Sequence, residues 1–190
     1  MKLLEDRIIK DGKIGAGDVL KVDSFLNHQI DVPFISKLGE EFHRLYKDEG
    51  ITKILTIEAS GIGIACLTAV HFGVPVVFAK KTKTNNISGD VYTSEVYSYT
   101  HERTYNIRLS KEFLHSEDRV LIIDDFLAKG SALLALLKLV RDAGATVCGA
   151  GIVIEKAYQA GGDIVRDMGV RVESLARIKE MKDGKITFCD

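Results

Sequence analysis

Two adjacent carboxylates, Asp124 and Asp125, stand between an apolar run and a small-residue loop in Val120-Leu-Ile-Ile-Asp-Asp-Phe-Leu-Ala-Lys-Gly-Ser-Ala132. Acids so placed can accept hydrogen bonds from a pair of vicinal hydroxyls. The loop behind them, Ala128 to Ala132 with Gly130 and Ser131 inside it, leads into apolar residues at helical spacing. These are Leu133, Leu134, Leu136, Leu137 and Val140, closed by Gly144. The first N–H groups of such a helix lack intrahelical partners and favour an anion. Groups for a diol and for a phosphate, side by side, describe a ribose phosphate site. The plainer reading is a strand-to-loop boundary, where Asp is a common turn and capping residue. Gly130-Ser131 and the apolar helix beyond favour the site.

Other segments carry both a chemical and a plain reading. Glu58-Ala-Ser-Gly-Ile-Gly-Ile-Ala65 places small residues where a backbone can approach a ligand, or simply where a strand turns tightly into a helix. It is no dinucleotide fingerprint, because the third glycine position falls on Cys66. Lys129-Gly130-Ser131 is no Walker A motif, since no Gly stands five residues before the Lys. Lys80 and Lys81 are either solvated surface or cations for a departing anion. Lys156, after Ile152 to Ile154, is either a base contact or a strand-end lysine, and Asn27, after Phe25 and Leu26, is either a contact or a turn residue. The five histidines show no spacing for a metal or a catalytic triad, and no G-x-S-x-G motif is present.

The elements that must hold these residues alternate in period. Lys53 to Ile57, Val74 to Ala79, Val120 to Ile123, Val147 to Ile154 and Arg171 to Leu175 read as strands; Asp124 and Asp125 end the third. Met1 to Lys10 is amphipathic, Phe34 to Glu49 carries one buried stripe, and Ile62 to Phe72 is helical up to Gly73. Alternation of this kind specifies a parallel sheet of five strands with helices on both faces. Ligands of such sheets bind beyond the carboxyl ends of the strands. All three suggestive segments (Glu58 to Gly63, Asp124 to Ser131, Glu155-Lys156) follow strands directly. Lys80 to Ser110 breaks the pattern with a polar loop and a hairpin over Val91 to Tyr99 and Thr104 to Leu109, either a mobile lid or a surface excursion.

At 190 residues one domain spanning 1–190 is expected. A net charge of −1 gives no drive toward nucleic acid or anionic membranes. The three cysteines are far apart, without C-x-x-C spacing, which suggests a reducing, cytoplasmic compartment. The N-terminus lacks the apolar core of a signal peptide, and no window is apolar enough to span a bilayer.

The acidic-pair loop resembles the 5-phosphoribosyl-1-pyrophosphate (PRPP) motif of type I phosphoribosyltransferases. Leu20-Lys-Val-Asp-Ser-Phe-Leu-Asn-His-Gln-Ile-Asp31, Gly151-Ile-Val-Ile-Glu-Lys156 and Arg171-Val-Glu-Ser-Leu-Ala-Arg-Ile178 resemble the xanthine-using branch of that family. The resemblance covers nearly the whole chain. It implies transfer of 5-phosphoribosyl from PRPP to N9 of xanthine, giving xanthosine 5′-monophosphate and pyrophosphate in purine salvage. The alternatives are a sister enzyme for hypoxanthine, guanine or adenine, and a PRPP-sensing regulator, for which this chain has no appended helix-turn-helix.

The same resemblance implies the residue roles. Asp124 and Asp125 hold the ribose hydroxyls, and Ala128, Lys129, Gly130, Ser131 and Ala132 hold the 5-phosphate. Several family members have Thr at the positions of Lys129 and Ala132, so here backbone N–H groups and the Lys129 charge would serve instead. Ala59 and Ser60 form the pyrophosphate loop, with a cis peptide between them, and Lys80 and Lys81 supply cations. Leu20, Asn27, Phe126 and Lys156 contact xanthine. Mg²⁺ is held mainly through the pyrophosphate oxygens, with no metal ligands assigned to the protein. Residues 1–33 and 156–190 build a small hood, residues 80–110 a flexible loop, and the enzyme is a homodimer.

Overall fold

In a computed structural model, residues 1–15, 19–81, 89–98, 103–182 and 184–189 are described. The order is α1 (Lys2–Asp11), β1 (Lys13–Gly15), β2 (Val19–Lys21), α2 (Val32–Tyr46), β3 (Lys53–Ile57), α3 (Ser60–Phe72), β4 (Val76–Ala79), β5 (Val91–Ser98) and β6 (Arg103–Ser110). Then come β7 (Arg119–Leu127), α4 (Ser131–Asp142), β8 (Thr146–Lys156), α5 (Gly161–Asp167), β9 (Val172–Lys182) and β10 (Lys185–Phe188). A turn of π-helix, Asp23–Asn27, precedes α2.

The main sheet runs β10-β9-β8-β7-β3-β4. Five of its strands, β9-β8-β7-β3-β4, are parallel, as expected, and the edge strand β10 pairs antiparallel with β9, making the sheet mixed. Consecutive strand residues face opposite sides, so each strand feeds two cores. Ile54, Leu121 and Val153 pack with Leu38 and Phe42 of α2 and Leu4 and Ile8 of α1; Leu55, Ile122 and Ile152 pack with Leu133, Leu136 and Val140 of α4. Gly39 lets α2 close on α3, because a Cβ there would stand 2.9 Å from the Leu67 carbonyl oxygen.

β7 departs from expectation in a way that bears on the site. It runs through the acids to Leu127, because β8 offers partners that far, up to the rung Leu127↔Glu155. Hydrophobicity marks the end of an apolar run, whereas the hydrogen-bond ladder marks the end of a strand.

The N-terminal segment packs on the C-terminal stretch through α1 and β9. Arg7 of α1 lies over the rings of Phe25 and Phe34, 5.1 Å from each centroid, and pairs with Asp31 at 2.9 Å. Asp31 also caps α2, accepting from the Phe34 N–H at 3.2 Å. The segment carrying Asn27 is therefore pinned at both ends.

At the amino ends of β3 and β7, Asp118 accepts from Lys53 Nζ at 2.7 Å, the His115 N–H at 2.9 Å and the Thr52 hydroxyl at 3.3 Å. Burial works to raise this carboxyl. The hydrogen bonds from Lys53 and the His115 amide, with the Lys53 charge, overcome it and hold the group below its ordinary range.

The hairpin β5–β6 pairs antiparallel over Val91↔Ser110 to Ser98↔Arg103. Its stem is part of the body: Val96, Ile107 and Leu109 are buried in the core on the α4 side. Alternation inserts every second hairpin residue into that core, which the polar composition of the segment concealed. Residues 82–88 and 99–102 of the expected lid lie outside the described residues.

Candidate active site

Gly130 ends the loop after β7 with φ +85°, a left-handed conformation natural to glycine, and serves as the N-cap of α4 without a side-chain cap. Its carbonyl already accepts from the Leu134 N–H at 2.8 Å. The N–H groups of Ser131, Ala132 and Leu133 have no partner within the helix and are left to a ligand. Chain geometry and helix dipole together favour a phosphate there.

The two acids differ. Asp124 is 4% exposed, and Asp125 is half-buried. Asp124 Oδ1 accepts from the Asp125 N–H at 3.0 Å, and Asp125 Oδ1 from the Phe126 N–H at 2.9 Å. Burial first, and the neighbouring Asp125 second, push the Asp124 carboxyl well above its ordinary range. Asp125 is thus the member of the pair with access to a diol.

The turn after β3 lies against the acids. A Cβ on Gly61 would stand 2.1 Å from Thr56 Oγ1 and 3.3 Å from Asp124 Oδ1, so only glycine admits this approach. The cis peptide of this turn joins Glu58 to Ala59, one bond earlier than expected. The reason is local: the Ala59 carbonyl accepts from the Ile62 N–H at 3.2 Å, so the Ala59–Ser60 bond already belongs to the first turn of α3.

Lys81 completes this side. Its N–H donates to the Glu58 carboxylate, its ammonium lies 5.9 Å from the Tyr105 ring centroid, and its charge favours ionised Asp124. Lys80 does not join it. It lines a separate groove of about 590 Å³ with Pro75, Phe78, Arg108 and Phe113, beyond the β4 edge. Adjacent residues of an extended chain point to opposite sides, which separates the pair.

A second hollow of about 490 Å³ gathers Ala128, Lys129, Gly130, Ser131 and Ala132 with Phe126 and Lys156. The loop 128–132 and Lys156 thus share one cleft. Leu20 and Asn27 do not line it. Leu20 is buried while its neighbour Val19 reaches the cleft, and Asn27 is exposed. Ile30, from Asn27's segment, leans instead on α3, where a Cβ on Gly63 would stand 2.6 Å from Ile30 Cδ1.

Sequence reasoning missed Tyr97, Tyr105 and Gln159, which also line the cleft. The tyrosines stood in an alternating hairpin pattern that marks strands and not partners, and no signal distinguished Gln159. It also missed Thr56, a fully buried hydroxyl without a hydrogen bond among the described residues, in a strand whose β-branched pattern explained it already.

Among the described residues no group of three or more His, Cys, Asp or Glu side chains is placed to hold a metal ion. No helix among them is long and apolar enough to cross a membrane.

Residues 22–172 match the family model of the phosphoribosyl transferase domain. A xanthine phosphoribosyltransferase of Lachnoclostridium phytofermentans is 58% identical, over 99% of this chain and 98% of that protein. Another, of Ruminiclostridium cellulolyticum, is 54% identical over the full length of both. Among solved structures, the APRTase of Giardia lamblia in complex with 9-deazaadenine superposes with a TM-score of 0.80 at 24% identity, over 94% of this chain and 98% of that one. At that identity the likeness is one of fold.

Proposed function

The chain belongs to the phosphoribosyl transferase family, and from that membership we propose a division of labour for its residues in purine salvage. The enzyme transfers 5-phosphoribosyl from PRPP to xanthine: the bond from C1′ to pyrophosphate breaks, a bond from C1′ to N9 forms, and N9 gives up its proton. Xanthosine 5′-monophosphate and pyrophosphate leave. The observation that carries this reading is the single cleft in which the loop 128–132 faces Lys156.

The amides of Ser131 and Ala132 hold the 5-phosphate, beside the Lys129 charge. Asp125 accepts from the ribose hydroxyls, with Asp124 packed behind it as its support. Ala59, Ser60 and Lys81 receive the pyrophosphate, where fixed cations and N–H dipoles stabilise the charge that develops as it departs. Lys156 donates to a xanthine carbonyl, Phe126 covers the ring, and Leu20 and Asn27 shape the base site from the pinned N-terminal segment. Mg²⁺ fits a donor set of this kind, since it keeps several waters and binds through one or two carboxylates plus substrate phosphates; half-buried Asp125 is the more accessible carboxylate of the pair. It would neutralise pyrophosphate charge.

The exposed face of α3 supports a homodimer. It carries Cys66 and Val70, the latter 74% exposed, on a helix with few polar residues. Three free cysteines suit the cytoplasm.

Pyrophosphate release from PRPP is to be measured with xanthine, guanine, hypoxanthine and adenine. We expect xanthine to lead, because Lys offers only donors and xanthine has carbonyl oxygens at C2 and C6. Guanine places an amino group at one of those positions and hypoxanthine nothing, leaving buried polar groups unpaired. Lys156→Met should lose xanthine turnover far more than PRPP affinity. Preference for another purine in the wild type would move the enzyme to a sister activity.

A further inference from the structure

Behind the phosphate loop lies a cluster of side chains that the reaction itself does not use. Glu155 stands on β8 directly before Lys156 and is 1% exposed. A carboxylate so dry needs several partners. Arg166 of α5 grips it fork to fork, Nη1 donating to Oε1 at 2.8 Å and Nη2 to Oε2 at 2.7 Å. The Ser174 hydroxyl and Arg177 Nε, the latter at 3.2 Å, donate to the same Oε2. Burial works to raise this carboxyl, and the hydrogen bonds from Arg166 and Ser174, with the two guanidinium charges, hold it below its ordinary range. It is a charged tie between β8, α5 and β9.

α5 opens with two glycines, and each is required by a different neighbour. The Gly161 N–H donates to the Ala128 carbonyl at 3.1 Å. A Cβ on Gly161 would lie 2.4 Å from that oxygen and 2.5 Å from the Gly130 nitrogen. A Cβ on Gly162 would lie 2.2 Å from Glu155 Oε1 and 2.5 Å from Arg166 Nη1. One glycine therefore touches the phosphate loop and the next touches the tie. The last β7–β8 rung, Leu127↔Glu155, stops one residue short of both Ala128 and Lys156. Beyond it, α5 bridges the two ends.

We propose that α5 is a positioning element: the Glu155–Arg166 pair holds Gly161 against residues 128–130 and so fixes the phosphate loop relative to Lys156. Glu155, Gly161 and Arg166 do not line the cleft. The inference rests on the functional reading above, in which the loop takes the 5-phosphate and Lys156 the base. Its chemical sense is orientation. The donor is anchored at its phosphate and must present C1′ to N9, and a misplacement of about 1 Å can cost about a hundredfold in rate.

The test compares Arg166→Lys, which keeps the charge and loses the fork, and Gly161→Ala with a control, Val165→Ala. Val165 is fully buried on the same helix and outside the pair. KM for each substrate, kcat and thermal midpoint are measured on the full-length protein. We expect both test variants to raise KM for PRPP about tenfold and to lower kcat, with KM for xanthine within about twofold. Val165→Ala should lower the midpoint at least as much and leave both KM values in place. Where Gly161→Ala is insoluble, Arg166→Lys decides. A PRPP effect of Val165→Ala equal to that of Arg166→Lys would reduce α5 to a stabilising helix, and unchanged kinetics in Arg166→Lys would remove the positioning role. Wild-type protein without xanthine-dependent pyrophosphate release would overturn the functional reading itself, a result distinct from an active wild type with flat variants.

Discussion

Lys80 and Lys81 are consecutive in the chain and part company: the Lys81 ammonium lies 5.9 Å from the Tyr105 ring centroid, and Lys80 lines the groove with Arg108 and Phe113. Both are strand-end cations, yet in the reading proposed above only Lys81 receives pyrophosphate. We expect Lys81→Ala to raise KM for PRPP about tenfold, the scale of losing one charge-assisted contact of about 1.4 kcal/mol. Lys80→Ala should leave it within about twofold. Steady-state kinetics with varied PRPP check this, and equal effects would return Lys80 to the site.

Asp124 should cost the fold something that it gives to the site. Its folded pKa lies above the unfolded value, so the native state holds more protons than the unfolded chain between the two pKa values. Stability then falls as pH rises through that window, so above the ordinary carboxylate range the group costs the fold stability. Asp124→Asn keeps the acceptor for the Asp125 N–H and removes the buried titratable group. We expect the melting temperature at pH 7 to rise by about 2 °C or more, with a large loss of activity. Calorimetry beside an activity assay tests both, and a fall in melting temperature would contradict the burial argument.

Asp118 should act with the opposite sign. Its folded pKa is held below the ordinary value of 3.8, so its stabilisation is complete above that value. It is lost as pH falls through the lowered folded pKa, because the unfolded chain takes up the proton first. Asp118→Asn should melt lower than wild type at neutral pH, and the gap should narrow below about pH 4. Melting curves across pH suffice; a gap that persists at low pH would assign the loss to packing.

Substrates should slow hydrogen exchange at the cleft end of the hairpin, at Tyr97 and Tyr105, when PRPP and a non-reacting purine analogue are bound together. The stem at Ile107 and Leu109, already in the core, should exchange slowly with or without them. Exchange read by mass spectrometry separates the two. Uniform protection along the hairpin in both states would leave no closing motion to explain.

How far the sequence led depended on whether a feature was local. β3 was legible to the residue, because a β-branched run bounded by polar residues leaves little choice. α2 begins at Val32, two residues before its apolar stripe, since Asp31 and Pro33 set the start. The turn from β7 into α4 was legible because glycine, strand and leucine repeat adjoin. α5 was not, since two glycines argue against a helix and only contacts with Ala128 and Glu155 hold them in one. β10 is too short to announce itself without β9 beside it. Tyr97, Tyr105 and Gln159 come from separate strands and a distant turn, and their meeting in one cleft is a property of the folded chain.

β3 and β7 carry their polar groups at both tips: Thr52, Lys53 and Asp118 at the start, Thr56 and Asp124 near the finish. The buried aliphatic middle insulates one tip from the other. Changes at the starting tip can therefore accumulate without altering the chemistry, while at the finishing tip a change such as Asp124→Asn moves stability and chemistry together. A protein engineer can treat the starting tip as a dial for stability alone.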